Sequence, residues 1–159
     1  MPFTPYHFGP GLLTKSIFNE RFSFVAFVIS QIMIDLESLY YLLQDTQFVH
    51  RFLHTYIGAT IVIFLTLSLT KLIFKILKRK ITWSSLLFAS TFGAYSHVFL
   101  DSIMHRDIRP FYPISDSNYL LGVIEISSLH EFCVYSGIIG VCIIVCRLIL
   151  SLNKDRKSC

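Results

Sequence analysis

The chain has 159 residues, 53% of them hydrophobic, and its mean hydropathy of +0.61 is too high for a soluble domain of this length. Its net charge of +4 comes from short cationic clusters beside long apolar runs, which is typical of a membrane protein and argues against a nucleic-acid partner. The four cysteines lack zinc-knuckle spacing. We therefore expect one integral membrane domain over residues 1–159, with the lipid bilayer as its partner.

A short helix is the first predicted element, at residues 9–18. Pro10 suits its first turn, and ten residues span about 15 Å, half of a hydrocarbon core of about 30 Å. A polar turn at residues 19–21 follows, so we expect the helix to be re-entrant or interfacial. If it folds back on the next helix, His7 lies near the depth of Asp35.

Longer apolar segments follow, and we predict four transmembrane helices, at residues 22–43, 55–77, 84–104 and 120–150. The basic cluster from Lys71 to Lys80 and the basic C-terminus both favour the cytoplasmic side. The predicted fold is therefore an all-α polytopic membrane protein with a cytoplasmic C-terminus.

Polar side chains interrupt the first two spans near their predicted outer ends. Asp35 and Glu37 are two residues apart, about 200° around a regular helix, so both reach one site only where the helix is distorted or ends. His50 and His54 are four residues apart on one predicted helical face at the start of the second span, a spacing that lets two imidazoles reach one ion. Arg51 lies to one side of them, where it could pair with an acid or an anionic substrate group.

The third span ends in a second group of metal-ligand side chains. His97, Asp101 and His105 are four residues apart and project from one stripe of a helix. Imidazoles and carboxylates are good ligands for zinc or iron, and an ionisable group at membrane depth costs about 2.5–3.5 kcal/mol or more. A polar seam between packed helices is the alternative interpretation. Arg109 lies in the loop that follows.

These polar groups share one predicted depth. Five of the six histidines lie in residues 35–54 or 97–131, which the topology places in the outer half of the membrane. A scatter of satisfied core histidines would have no reason to share a depth, so the convergence favours one site. His130 has no partner in this pattern.

Four stretches of the chain resemble a family of small bacterial inner-membrane proteins described as metal-dependent hydrolases and as LexA-binding. They are MPFTPYHFGPGLL at the start, DLE at 35–37, HRFLHT at 50–55 and HVFLDSIMHRDIRPFYP at 97–113. The resemblance implies a location in the inner (plasma) membrane, and a LexA-type partner is implied by the family name only. The family's His and acid positions are matched here by His7, Asp35, Glu37, His50, His54, His97 and Asp101.

From the residues and the resemblance together we expect a membrane-embedded hydrolase with one or two divalent metal ions, zinc being the first choice. The expected ligands are His7, His50, His54, His97, Asp101 and His105. Asp35 or Glu37 would accept the proton of a metal-activated water, and Arg51 or Arg109 would offset charge developing on the substrate. The site's outer location suggests a phosphoester or similar ester of a lipid or lipid-linked molecule.

Other classes of protein fit parts of the same pattern. A non-catalytic metal-binding, transport or assembly protein would need the same ligands without turnover. A di-iron membrane oxidase would share the His-x3-His spacing, but such enzymes usually show adjacent His pairs, which this chain lacks.

Overall fold

The computed structural model describes residues 5–157, with side chains as far as Lys154. All regular structure in this part of the chain is helical, which confirms the all-α class. The helices are α1 (Phe8–Phe18), α2 (Phe24–Leu43), α3 (Tyr56–Ile76), α4 (Trp83–Met104) and α5 (Ile126–Lys157). Short 3₁₀ turns precede the first three helices, at Pro5–His7, Asn19–Arg21 and Phe52–His54.

Three helices are long and apolar enough to cross a membrane: α2, α3 and the Ile126–Lys154 part of α5. Of the four predicted spans, three are therefore confirmed as helices able to cross a membrane, and the last of them begins at Ile126, not at residue 120. The 22 residues of α4 have sufficient length, but its serines, Gly93 and site residues lower its hydropathy. This polarity is sheltered, because α4 packs between α2 and α3 and buries Ser90, His97 and Asp101.

The start of α3 differs from the prediction that His50 and His54 share a helical face. The Thr55 hydroxyl accepts a hydrogen bond from the Gly58 amide at 2.9 Å, so Thr55 is the N-cap and its backbone is extended. His54 consequently lies in the 3₁₀ turn before the helix, and His50 lies in the irregular segment before that turn.

The end of α4 also differs from the prediction. The helix stops at Met104, and His105 takes an extended conformation with φ −111° and ψ 129°. His105 is therefore not on the helical stripe of His97 and Asp101, and the conformation of the following loop sets the direction of its side chain.

The core below these polar residues is apolar and aromatic. Phe22, Phe27, Ile34, Val62 and Val98 are each fully buried between α2, α3 and α4. A smaller apolar cluster joins α4 to the start of α5, formed by Leu100, Ile103, Leu129 and Cys133.

The first helix packs chiefly along α5. An added Cβ at Gly9 would lie 1.8 Å from the Cys133 carbonyl oxygen, and one at Gly140 would lie 2.7 Å from the backbone of Leu12. Small residues thus let the two backbones approach closely, as is common between membrane helices. This packing holds α1 so that His7, just before it, is buried at the polar level of the bundle.

We expect Gly9→Ala to lower the thermal unfolding temperature of the protein in mild detergent. Helix propensity alone would make alanine stabilising by about 1 kcal/mol, whereas overpacking against a backbone carbonyl costs about 1–3 kcal/mol. An unfolding temperature equal to or above that of the unsubstituted protein would contradict the close contact between α1 and α5.

Candidate metal centre

Four buried side chains from α2, α4 and the turn before α3 meet in one place: Asp35, His54, His97 and Asp101. Each offers a ligand atom that lies within 4.8 Å of the other three. The Nε2 atom of His97 is 3.2 Å from Asp35 Oδ1 and 3.2 Å from Asp101 Oδ2. The Nε2 atom of His54 is 3.5 Å from Asp101 Oδ2 and 3.9 Å from Asp35 Oδ1. Both imidazoles therefore turn the same ring nitrogen toward the two carboxylates.

A buried glutamine fixes the ring of His97. The Nδ1–H of His97 donates to Gln31 Oε1 at 2.7 Å, and the Gln31 amide nitrogen donates to the Gly93 carbonyl at 2.8 Å. The second hydrogen bond settles which way the amide faces, so its oxygen must accept from the ring. The arrangement leaves Nε2 of His97 with its lone pair toward the cluster, as in the outer shell of protein metal sites.

Glu37 holds the turn that carries His54. Its Oε2 atom accepts from the Leu53 amide at 2.7 Å and lies 3.9 Å from His54 Nδ1. Burial lowers the pKa of His54, but the nearby carboxylates of Asp101 and Glu37 outweigh that effect and raise it above its ordinary value. The two carboxylates predicted to diverge around α2 thus both reach the site, because the 3₁₀ turn comes to Glu37.

Several atoms of the cluster have no hydrogen-bond partner within the part of the chain that the structure describes. They are both ring nitrogens of His54, Nε2 of His97 and Oδ1 of Asp101. Buried polar atoms are nearly always hydrogen-bonded, and each such exception calls for an explanation. Two imidazole nitrogens and two carboxylates are a suitable donor set for a divalent first-row metal such as zinc, so the residues fit the predicted ion.

His7 lies against this cluster. It is 4% exposed, its Nε2 is 3.1 Å from Asp101 Oδ1, and its ring meets that of His97 edge-on at 4.6 Å between centroids. His7 thus lies beside the two site residues of α4, one of which, His97, contacts Asp35.

A second group of possible ligands shares Asp101 with the first. Ligand atoms of His50, Asp101 and His105 lie within 4.8 Å of one another, and the rings of His50 and His105 stack at 4.4 Å. Burial lowers the pKa of His105 below its ordinary value, which favours the neutral imidazole. His50 precedes α3, whereas Asp101 and His105 lie at the end of α4. Tertiary structure thus brings these three predicted ligands together.

Asp107 orients His50 within that second group. Its carboxylate accepts from His50 Nδ1–H at 2.9 Å and from the backbone amides of Val49 and His50, each at 3.1 Å. Burial raises the pKa of Asp107, but these three donors outweigh it and hold the pKa well below the ordinary value. Nε2 is then the nitrogen of His50 left to bind a ligand.

The two predicted arginines lie outside the buried cluster. The Arg51 guanidinium sits 3.8 Å above the ring of Tyr41, and Arg109 pairs with Asp116 at 2.9 Å. Both line a cavity of about 410 Å³ whose wall also contains His50 and Asp107. They therefore border the second group of ligands rather than the first.

Sequence reasoning gave no role to Gln31 or Asp107. Gln31 lies one helical turn before Asp35 on the same face, and that spacing was the available signal. Nothing in the sequence pairs Asp107 with His50, because the contact depends on the path of the loop that follows α4 and carries Asp107. His130 stacks on Tyr6 at 4.2 Å and belongs to neither group of ligands.

A model of the YdjM inner membrane protein family matches residues 13–155, which include every residue of the two groups of ligands. His7 precedes the matched range. No curated protein and no solved structure matches the chain. The match covers most of the chain and agrees with its apolar helices, and it confirms the resemblance seen in the sequence. The chain belongs to the YdjM inner membrane protein family.

Proposed function

We propose that this protein is a membrane-embedded, metal-dependent hydrolase. One observation carries the proposal: four buried side chains, Asp35, His54, His97 and Asp101, present mutually close ligand atoms, and the Nε2 atoms of both histidines have no hydrogen-bond partner among the described residues. Burying two carboxylates without compensation is costly, and a divalent cation offsets that cost. Zinc suits the nitrogen and oxygen donors best.

A second ion would use His50, Asp101 and His105, with Asp101 common to both groups. The two oxygens of the Asp101 carboxylate face different partners: Oδ2 faces His54 and His97, and Oδ1 faces His7. His7 would then support the shared carboxylate or take a ligand position itself.

When bound, the metal would supply Lewis-acid activation of a water molecule at neutral pH. Hydrolysis requires that a water oxygen attack the ester centre, that the bond to the leaving oxygen break, and that a carboxylate take the proton from water. Asp35 is the better candidate for this proton, and in that role its carboxylate would act as the base while His54, His97 and Asp101 would hold the ion. Glu37 is committed to the Leu53 amide and to the turn of His54, so we assign it a positioning role.

We propose a phosphoester or similar ester of a lipid or lipid-linked molecule as the substrate. The cavity beside His50 carries Arg51 and Arg109, which would offset negative charge on such a group. A site within an apolar helical bundle is reached most directly from the membrane.

We further propose that α4 also crosses the bilayer and that the C-terminus is cytoplasmic. The helix lies between two spanning helices, and the Lys71–Lys80 cluster precedes it. Lysine and arginine accumulate on the cytoplasmic side of membrane proteins, which supports a location of the metal centre toward the outer half.

The first test of this proposal is the metal content of His97→Ala. The variant should bind zinc at least about a hundredfold more weakly, because loss of an outer-shell partner alone typically costs 10–100-fold. Metal per purified chain and affinity against a competing chelator would be measured in mild detergent. His130→Ala is the matched control, since His130 lies in the same protein region but outside both groups. Equal zinc binding by both variants would contradict the ligand assignment.

Gln31→Leu tests the orientation of His97. Removing the oxygen that accepts from Nδ1–H should weaken zinc binding about 10–100-fold while leaving the protein folded, as for other outer-shell partners. The same chelator competition gives the affinity, and the helical circular dichroism signal reports the fold. Unchanged affinity would mean that the glutamine does not position this ligand.

The orientation of the protein in the membrane is tested by cysteine labelling in intact cells, in a variant without the natural cysteines. We expect an impermeant thiol reagent added outside to label Ile114→Cys, which replaces a side chain 87% exposed near the site. Lys80→Cys, exposed in the basic loop, should stay unlabelled until the membrane is opened. The reverse pattern would invert the proposed topology.

A further inference from the structure

Lysine and arginine are distributed differently along this chain. No lysine falls between Lys15 and Lys71 or between Lys80 and Lys154, the two stretches that supply the metal centre and its cavity. The cationic residues of these two stretches are five arginines, and three of them, Arg51, Arg106 and Arg109, line the same cavity of about 410 Å³. Three like charges around one space repel one another, so their gathering calls for an anion.

The acidic groups nearby offset only part of this charge, since Asp116 pairs with Arg109 alone. Asp107, the acid in the cavity lining, is already held by the ring of His50 and by two backbone amides. Asp116 pairs with Arg109 on the exposed surface. Arg106 forms no ion pair with any side chain that the structure describes, and Arg51 rests on the ring of Tyr41.

We propose that this cavity is a phosphate-binding site in which Arg51, Arg106 and Arg109 grip the phosphate group of the substrate. This inference rests on the proposed hydrolase function and narrows its substrate class to phosphate esters. A guanidinium presents a planar fork of N–H donors that matches phosphate oxygens in pairs, which a lysine ammonium cannot do. The absence of lysine from these stretches of sequence agrees with that demand.

The cavity is also placed and shaped for such a group. His50, whose Nδ1 is fixed by Asp107, forms part of its wall and belongs to the second group of metal ligands. A phosphate in the cavity thus borders the candidate metal centre. Phe48, Phe52 and Tyr112 supply an apolar part of the wall, which suits the carbon atoms next to the phosphate.

The test is equilibrium dialysis of the full-length protein in mild detergent against radiolabelled inorganic phosphate, after chelation of metal. We expect saturable binding that Arg106→Gln weakens about tenfold or more, since a charge-assisted hydrogen bond is lost. Arg21→Gln is the matched control, because Arg21 is exposed in the turn between α1 and α2, away from the cavity. Binding that is absent, or that is equal in the two variants, would overturn the proposal.

Two further arms separate the sources of the phosphate group and the two proposals. Phosphatidic acid in mixed micelles that competes more strongly than inorganic phosphate supports a lipid headgroup, and equal competition supports a soluble phosphate ester. Phosphatidylcholine micelles give the baseline for lipid alone. Because metal content is measured separately, a chain that binds phosphate but no zinc would fail as a hydrolase and keep the cavity assignment.

Discussion

The buried carboxylate of Asp101 is the constraint on which the rest of the structure depends. It is 3% exposed, and it lies within 3.5 Å of ring nitrogens from His7, His54 and His97, three histidines from distant parts of the chain. A lone charge in such a position would be expelled or neutralised, so its neighbours have to be held in place. The glycine contacts of α1, the N-cap of α3 and the close packing of α2 on α4 all serve that requirement.

Three imidazoles of the site each face a different side chain through Nδ1. His97 donates to the neutral oxygen of Gln31, His50 donates to the carboxylate of Asp107, and His54 faces Glu37 at 3.9 Å. A neutral acceptor thus orients His97, whereas a carboxylate orients His50 beside the arginine-lined cavity.

Much of the fold follows from the sequence because hydrophobic length and helix ends are local properties. The bounds of α3 and α4 lie within one residue of their predicted positions, and the spacing of His97 and Asp101 correctly places both side chains on one helical face. The positions of His54 and His105 could not be predicted from their four-residue spacing. The cap at Thr55 excludes His54 from α3, and α4 ends just before His105. The cap of Thr55 moved His54 into a turn, and there it meets Glu37, which regular helical geometry had separated from Asp35.

The distances along the chain between the cluster residues have a consequence for biogenesis. Asp35, His54 and His97 come from separate helices or turns, and none of these segments holds a complete set of ligands. Membrane helices insert one by one and associate afterwards, so the polar pocket exists only when the second stage is finished. An early intermediate would carry unpartnered carboxylates and imidazoles within the bilayer. Until α4 has packed against α2 and α3, these exposed polar groups distinguish an immature chain from a finished one, and quality-control proteases could recognise them.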